Sequence, residues 1–384
     1  MKHSRLLHVT LAIVGIGALT AYLVACRPAW SPDGSKVLFP YANPATKQVG
    51  IALFDKSSGK TTSLFLLQFP ASERSGPSDS FPWTQWTADG QRAVVIWARE
   101  AEGRHQLHLR LLPVDSEKPA REFVLPDVEA MPGLPLAELE GCLFVGGKAL
   151  VRVDLASGMI ERRQLDGNQE VILVGHKKQI HYLVGGGSDD AQAYEIGTLD
   201  PKQLALRPAL KLKAADVGGL SPYFAVAGDG STLAVSSVKD ARCQLLIIAG
   251  DGLKKTIPLN LSSETHVVGN LQWSPDANTV YAALIAQVQG QEAIQLGLLE
   301  VTVETGATRA TPLVRIGKAI EREGLPMVFQ IGLAPDGKTI ATAPTYLGQE
   351  LQDKKDMALH LVDLTSPERK VTQIPVPVPG APNE

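Results

Sequence analysis

Few residues in this chain have the types and spacing that chemistry demands. His105 and His108, in "RHQLHLR", lie three apart. A strand alternates its faces, so that spacing points the two imidazoles in opposite directions and makes no metal pair. "GGGSDD" (185–190) and "QDKKD" (352–356) carry oxygens that calcium could use. Neither has the alternating ligands of an EF-type loop, and both read as solvated turns. The glycine run 185–187 precedes no helix and no Gly-Lys-Ser/Thr is present, so nothing cradles phosphate. "GLSPY" (219–223) lacks the second glycine of a nucleophile elbow. Lysines and arginines are scattered without interleaved aromatics, and net charge is −3, which speaks against nucleic acid. No cofactor, metal or catalytic residue is expected, and the chain reads as non-enzymatic.

One residue does suggest covalent chemistry. Lys2 and Arg5 precede an apolar run, "LLHVTLAIVGIGALTAYLVA", which ends at Cys26 within "LVAC". Small residues before the cysteine suit a peptidase that binds an extended backbone closely. The stretch resembles the lipobox of bacterial lipoproteins. That resemblance implies that residues 1–25 are a signal peptide, that Cys26 is lipidated, and that it becomes the new N-terminus. The competing reading is an uncleaved signal anchor, because roughly 20 apolar residues just span a bilayer. Both readings export the remainder to the bacterial cell envelope, in the periplasm or outside, and tether it to a membrane.

The elements that would position any site come from a repeat. "WSPDGSKVLF" (30–39) is echoed by "WTADGQRAVVI", "VAGDGSTLAVS", "WSPDANTVYAA" and "LAPDGKTIATA". Proline presets φ, aspartate bonds its own downstream backbone, and glycine accepts positive φ, so each phrase reads as a strand–turn–strand hairpin. Its aspartates, Asp33, Asp89, Asp229, Asp276 and Asp336, are separated by 56, 140, 47 and 60 residues. Propeller blades repeat at roughly 40–50 residues, so the long gap hides two copies and the total is seven. A second phrase, exemplified by "ALFDKSSGKTTSLFL" and "LHLVDLTSPERKVTQIPV", also occurs seven times. Two of its copies, "LVRVDLASGMIERRQL" and "YEIGTLDPKQLALRPAL", fall inside the gap.

The expected fold is therefore all-β: a closed seven-bladed propeller of four-stranded antiparallel blades over residues 26–378, with a Pro-rich tail at 379–384. The hidden inner hairpins are placed at "LFVGGKALV", turning at Gly146–Gly147, and "VILVGHKKQIHYLV", turning at His176–Lys177. The third blade looks short enough for three strands. Trp30, Trp86 and Trp273 should wedge between blades. Closure should be uninterlocked, because the first and last blades each own four strands. Cys142 and Cys243 lie in strand-like runs of non-adjacent blades and are expected as buried free thiols rather than a disulfide.

"WSPDG" (30–34), "WTADG" (86–90), "WSPDA" (273–277) and "APDGK" (334–338) resemble the TolB-type propeller repeat, shared with the propeller domains of prolyl-oligopeptidase relatives. The resemblance implies a fold and no function. The first blade begins directly after Cys26, which leaves no room for the TolB N-terminal domain. The sequence ends about ten residues past its last strand, which speaks against a following peptidase domain. A monomer is expected, binding a protein or envelope component through its long-loop face. That face comprises 68–82, 126–138, 314–327 and 344–356, with Arg74, Asp79, Glu321, Arg322 and Asp353 as candidate contacts. The alternative is an enzyme or small-molecule site at the mouth of the central channel, near Trp83, Gln85 and Gln272. The short span from Cys26 to Trp30 should hold the ring close to the bilayer, with the edge of its first blade toward lipid.

Overall fold

A computed structural model describes residues 27–376, apart from 44–47, 69–81, 102–103, 115–119, 126–135, 166–169, 177–178, 186–192, 241, 251, 262–264, 288–292, 318–326 and 347–357. The signal segment, Cys26 and the tail at 379–384 lie outside the described residues. The strands form seven four-stranded antiparallel sheets and one two-stranded ribbon. Each sheet is one blade. The innermost strands are Ala29–Trp30, Trp83–Trp86, Leu136–Leu139, Glu170–His176, Gly219–Val226, Thr265–Trp273 and Ile331–Leu333. The only helix among the described residues is the single turn Ala214–Val217. No described helix is long and apolar enough to cross a membrane.

The five repeated aspartates do one job. Asp33 accepts from the Ser35 N–H at 3.0 Å and from the Ser31 hydroxyl. Asp89, Asp229, Asp276 and Asp336 accept in the same way from the N–H groups of Gln91, Ser231, Asn278 and Lys338. These bonds favour the ionised form, and those to Ser31 and Ser35 hold Asp33 down to about 2. A second set caps the outer turns, where Asp55, Asp154, Asp200 and Asp363 accept from Ser57, Ala156, Lys202 and Thr365.

The tryptophans wedge as expected, and each does so with a hydrogen bond. Trp86 Nε1 donates to Ala29 O at 2.8 Å and Trp273 Nε1 to Ala225 O at 3.1 Å. Trp30 Nε1 donates to Gly332 O at 2.9 Å, across the seam between the last blade and the first. That seam packs Trp30, Phe39, Tyr41 and Phe54 against Ala341, Leu359 and Ile374. The C-terminal strand Val371–Ile374 pairs only with Leu359–Asp363 of its own blade, so closure is uninterlocked.

Blade three has the four strands expected of every blade, Leu136–Leu139, Cys142–Val145, Ala149–Asp154 and Ile160–Gln164, although its short sequence leaves three open. It departs from expectation in its inner turn. Its inner hairpin turns at Glu140–Gly141, where φ is 53° and 75°, a two-residue turn matched to strand twist. The Gly146–Gly147 stretch instead joins the second strand to the third. In blade four the inner hairpin does pair Glu170–His176 with Gln179–Gly185, but His176 is a paired strand residue, and 177–178, where the turn falls, lie outside the described residues.

Cations stitch neighbouring blades at the rim. Arg121 donates to Leu155 O and Ala156 O, Arg152 to Pro201 O, Lys255 to Val303 O, and Arg309 to Pro367 O. In each case a basic side chain caps the outer-turn carbonyls of the next blade. Between blades six and seven the contact is stronger. Arg369 forms a fork on buried Glu300, with Nε to Oε1 at 2.9 Å and Nη2 to Oε2 at 2.8 Å.

Candidate functional site

The innermost strands leave a central cavity of about 750 Å3, within the range of small-ligand pockets. Its mouth, at the end where the inner hairpins turn, continues into a smaller recess of about 330 Å3 lined by Glu138 and His176. The chain reaches its first strand through this space, because Arg27 lines both cavities. Arg27 and Pro28 immediately precede the innermost strand Ala29–Trp30, which brings Arg27 to the axis; Cys26 lies outside the described residues.

Arg27 is exposed, and it lines both cavities. Partial desolvation by the surrounding protein pulls its pKa below the ordinary value, though arginine stays charged. Among the described residues no carboxylate pairs with it. Glu138 is raised by burial, and the N–H groups of Ala88 and Gly141 partly offset that. Asp229 and Asp276 face the cavity but spend their oxygens on their own turns. A cation is thus left over in a space walled by protein.

Blade two carries three polar groups enclosed in protein behind the cavity lining, with Trp83 packed in the core between blades two and three. Trp83 and Thr84 are each 5% exposed, and neither the indole Nε1 nor the hydroxyl meets a partner. Gln85 Nε2 is buried and unpartnered as well. All three residues line the cavity. Blades four and five contribute the half-buried Ile172 and Val174 to the lining, backed by the buried Phe224 and Val226, with His176 and Asp229 from the same blades. Asn270 lines it too, but its amide is spent bridging to Ile331 N and O at 3.0 and 2.7 Å.

The residues singled out from sequence divide into two groups. Trp83, Gln85 and Gln272 line this cavity. Arg74, Asp79, Glu321, Arg322 and Asp353 lie outside the described residues, as do Cys26 and the "QDKKD" acids. The bases of two long loops are described: Met327–Val328 pairs with Thr345–Tyr346, so the segments carrying Glu321, Arg322 and Asp353 spring from one ribbon. The loop bounds need correction: residue 68 ends the strand Lys60–Gln68, 136–138 belong to the inner strand of blade three, 314–317 to the strand Thr308–Gly317, and 327 and 345–346 to the ribbon. Arg27 went unnoticed in the sequence because nothing in "CRPAW" marks an arginine as facing the axis.

The other candidates have structural roles. His108 is buried, stacks on Trp97 at 5.1 Å and sets Nδ1 3.4 Å from Glu122. Ser221 sits within the inner strand Gly219–Val226, where there is no elbow. Cys142 and Cys243 form no disulfide, as expected, but are half-buried rather than buried, since each lies at the start of a strand. Among the described residues no three His, Cys, Asp or Glu side chains group as metal ligands.

No family model and no curated protein matches the sequence. Solved structures do match. A putative 6-phosphogluconolactonase from Bacteroides uniformis superposes with TM-score 0.54 at 14% identity, over 88% of this chain and 94% of that one. Kuenenia stuttgartiensis hydrazine synthase gives 0.53 at 15% identity, over 93% and 96%. A prolyl endopeptidase gives 0.50 at 15% identity over 85% of this chain, which spans 47% of that chain. At such identities the likeness is one of fold, and the fold is the seven-bladed β-propeller.

Proposed function

We propose that this chain is a membrane-tethered, non-enzymatic binding module of the bacterial cell envelope, anchored through Cys26, with its recognition site in the central cavity. One observation carries the reading. Arg27, the first residue after the anchor, lines that cavity and, among the described residues, meets no carboxylate there. The apolar run and "LVAC" support the tether.

Photo-crosslinking tests the site. A benzophenone amino acid is placed at Gln85 or Gln272 in the full chain within membranes, with exposed Arg162 on an outer strand as the control position. Adducts from the two cavity positions and not from Arg162 are expected. Adducts confined to probes at Arg74, Asp79, Glu321, Arg322 or Asp353 would move recognition to the long-loop face. That second reading is favoured by the ribbon joining Met327 to Tyr346, which gathers two of those loops.

A further inference from the structure

We propose that the group taken up by the central cavity is an organic anion, an acidic head on an apolar body. The inference rests on the cavity being the recognition site and goes on to name the chemistry it selects.

The head is assigned by charge. Every carboxylate facing the cavity among the described residues is accounted for: Glu138 accepts from backbone N–H groups, and Asp229 and Asp276 cap their own turns. Arg27 is the uncompensated charge among them, and a guanidinium matches an acidic head with parallel N–H donors. His176, at the mouth, is the remaining titratable group described there.

The body is assigned by the apolar lining. Ile172 and Val174, both half-buried, present carbon surface to the cavity that Arg27 lines, backed by the buried Phe224 and Val226. An inorganic ion would leave that surface wet, whereas an apolar body removes it from water at about 25 cal/mol per Å2.

Calorimetry on the full chain in nonionic detergent decides the matter, with 3-phenylpropanoate, 3-phenylpropanol and acetate as probes. The expected result is that 3-phenylpropanoate binds about tenfold or more tighter than either of the others, consistent with charged hydrogen bonds. Arg27→Gln should abolish the advantage over the alcohol, and Arg27→Lys should restore part of it. Arg27 precedes the first strand, so neither change threatens folding, and the thermal midpoint checks this. Equal affinity for 3-phenylpropanol would overturn the acidic head, and equal affinity for acetate the apolar body. Both results leave the cavity as a binding site. An absence of binding by all three probes also overturns this inference, while the crosslinks from Gln85 and Gln272 judge the site independently.

Discussion

The indole Nε1 of Trp30 donates to the carbonyl of Gly332 at 2.9 Å and joins residues 302 apart in sequence. This bond closes the ring without an exchanged strand. Gly332 is required there, because a Cβ would stand 2.1 Å from the Pro28 carbonyl. Trp30→Phe should cost about 1 kcal/mol, the worth of one hydrogen bond. Gly332→Ala should cost more, since backbone must move. Urea midpoints check both, and an unchanged midpoint for Gly332→Ala would contradict the close approach.

Acid should act in two stages. His360 is fully buried, and desolvation lowers its pKa from 6.5 to about 4. The unfolded chain takes the proton first, so stability present above about pH 6.5 is lost as pH falls toward 4, by up to about 3 kcal/mol. His360→Leu should flatten that part of the profile. Asp33, Asp55 and Asp229 are held down to about 2 by hydrogen bonds within their turns. Their contribution is present above roughly pH 4 and disappears as pH falls through 2. Chemical denaturation at stepped pH separates the stages. A slope between pH 6.5 and 4 that survives His360→Leu would assign it elsewhere.

The Glu300–Arg369 fork predicts an asymmetry. Arg369→Ala leaves buried Glu300 with only the looser contact to Arg309 Nε at 3.9 Å and should cost about 3 kcal/mol. Replacing both partners, as Glu300→Met with Arg369→Leu, should cost much less, because no charge is stranded. Equal losses in the single and double variants would mean that packing, not charge, holds the seam between blades six and seven.

The thiols should be slow but not silent. Burial first, and then the Asp154 carboxylate, push the Cys142 thiol up, so little thiolate is available near neutrality. Reducing and nonreducing gels should match. A disulfide-exchange reagent should label native protein slowly and unfolded protein fast. Immediate labelling of native Cys142 would contradict this placement.

What the sequence revealed was what is local. Asp-Gly turn chemistry marks a hairpin wherever it falls, so Asp33, Asp89, Asp229, Asp276 and Asp336 set the blade count. The inner hairpin of blade three was missed because its turn is Glu140–Gly141, a pair without that signature, while the adjacent double glycine drew attention to the next turn. The rim cations Arg121, Arg152, Lys255 and Arg309 were unreadable, because each bonds a carbonyl in a different blade. Trp83, Gln85 and Gln272 could be placed near the axis by their position ahead of a wedge tryptophan or at its strand. Arg27 could not, since its place depends on how the ring closes around it.

The position of Arg27 also bears on the tether. Consecutive Cα atoms lie about 3.8 Å apart, so an anchor on Cys26 stands one residue from the central channel. The ring should then sit with its channel toward the membrane. A bulky maleimide should react slowly with Gln272→Cys in the membrane-bound protein. A flexible linker inserted between Cys26 and Arg27 should speed that reaction without detaching the protein, because Arg27 keeps its place. Equal rates with and without the linker would mean that the membrane does not shield the channel. Cys26→Ser should release the protein or leave it as a precursor, since firm attachment by acyl chains is lost. If Cys26→Ser migrates and fractionates as the parent does, the apolar run is a signal anchor, and the channel still faces the membrane that holds it.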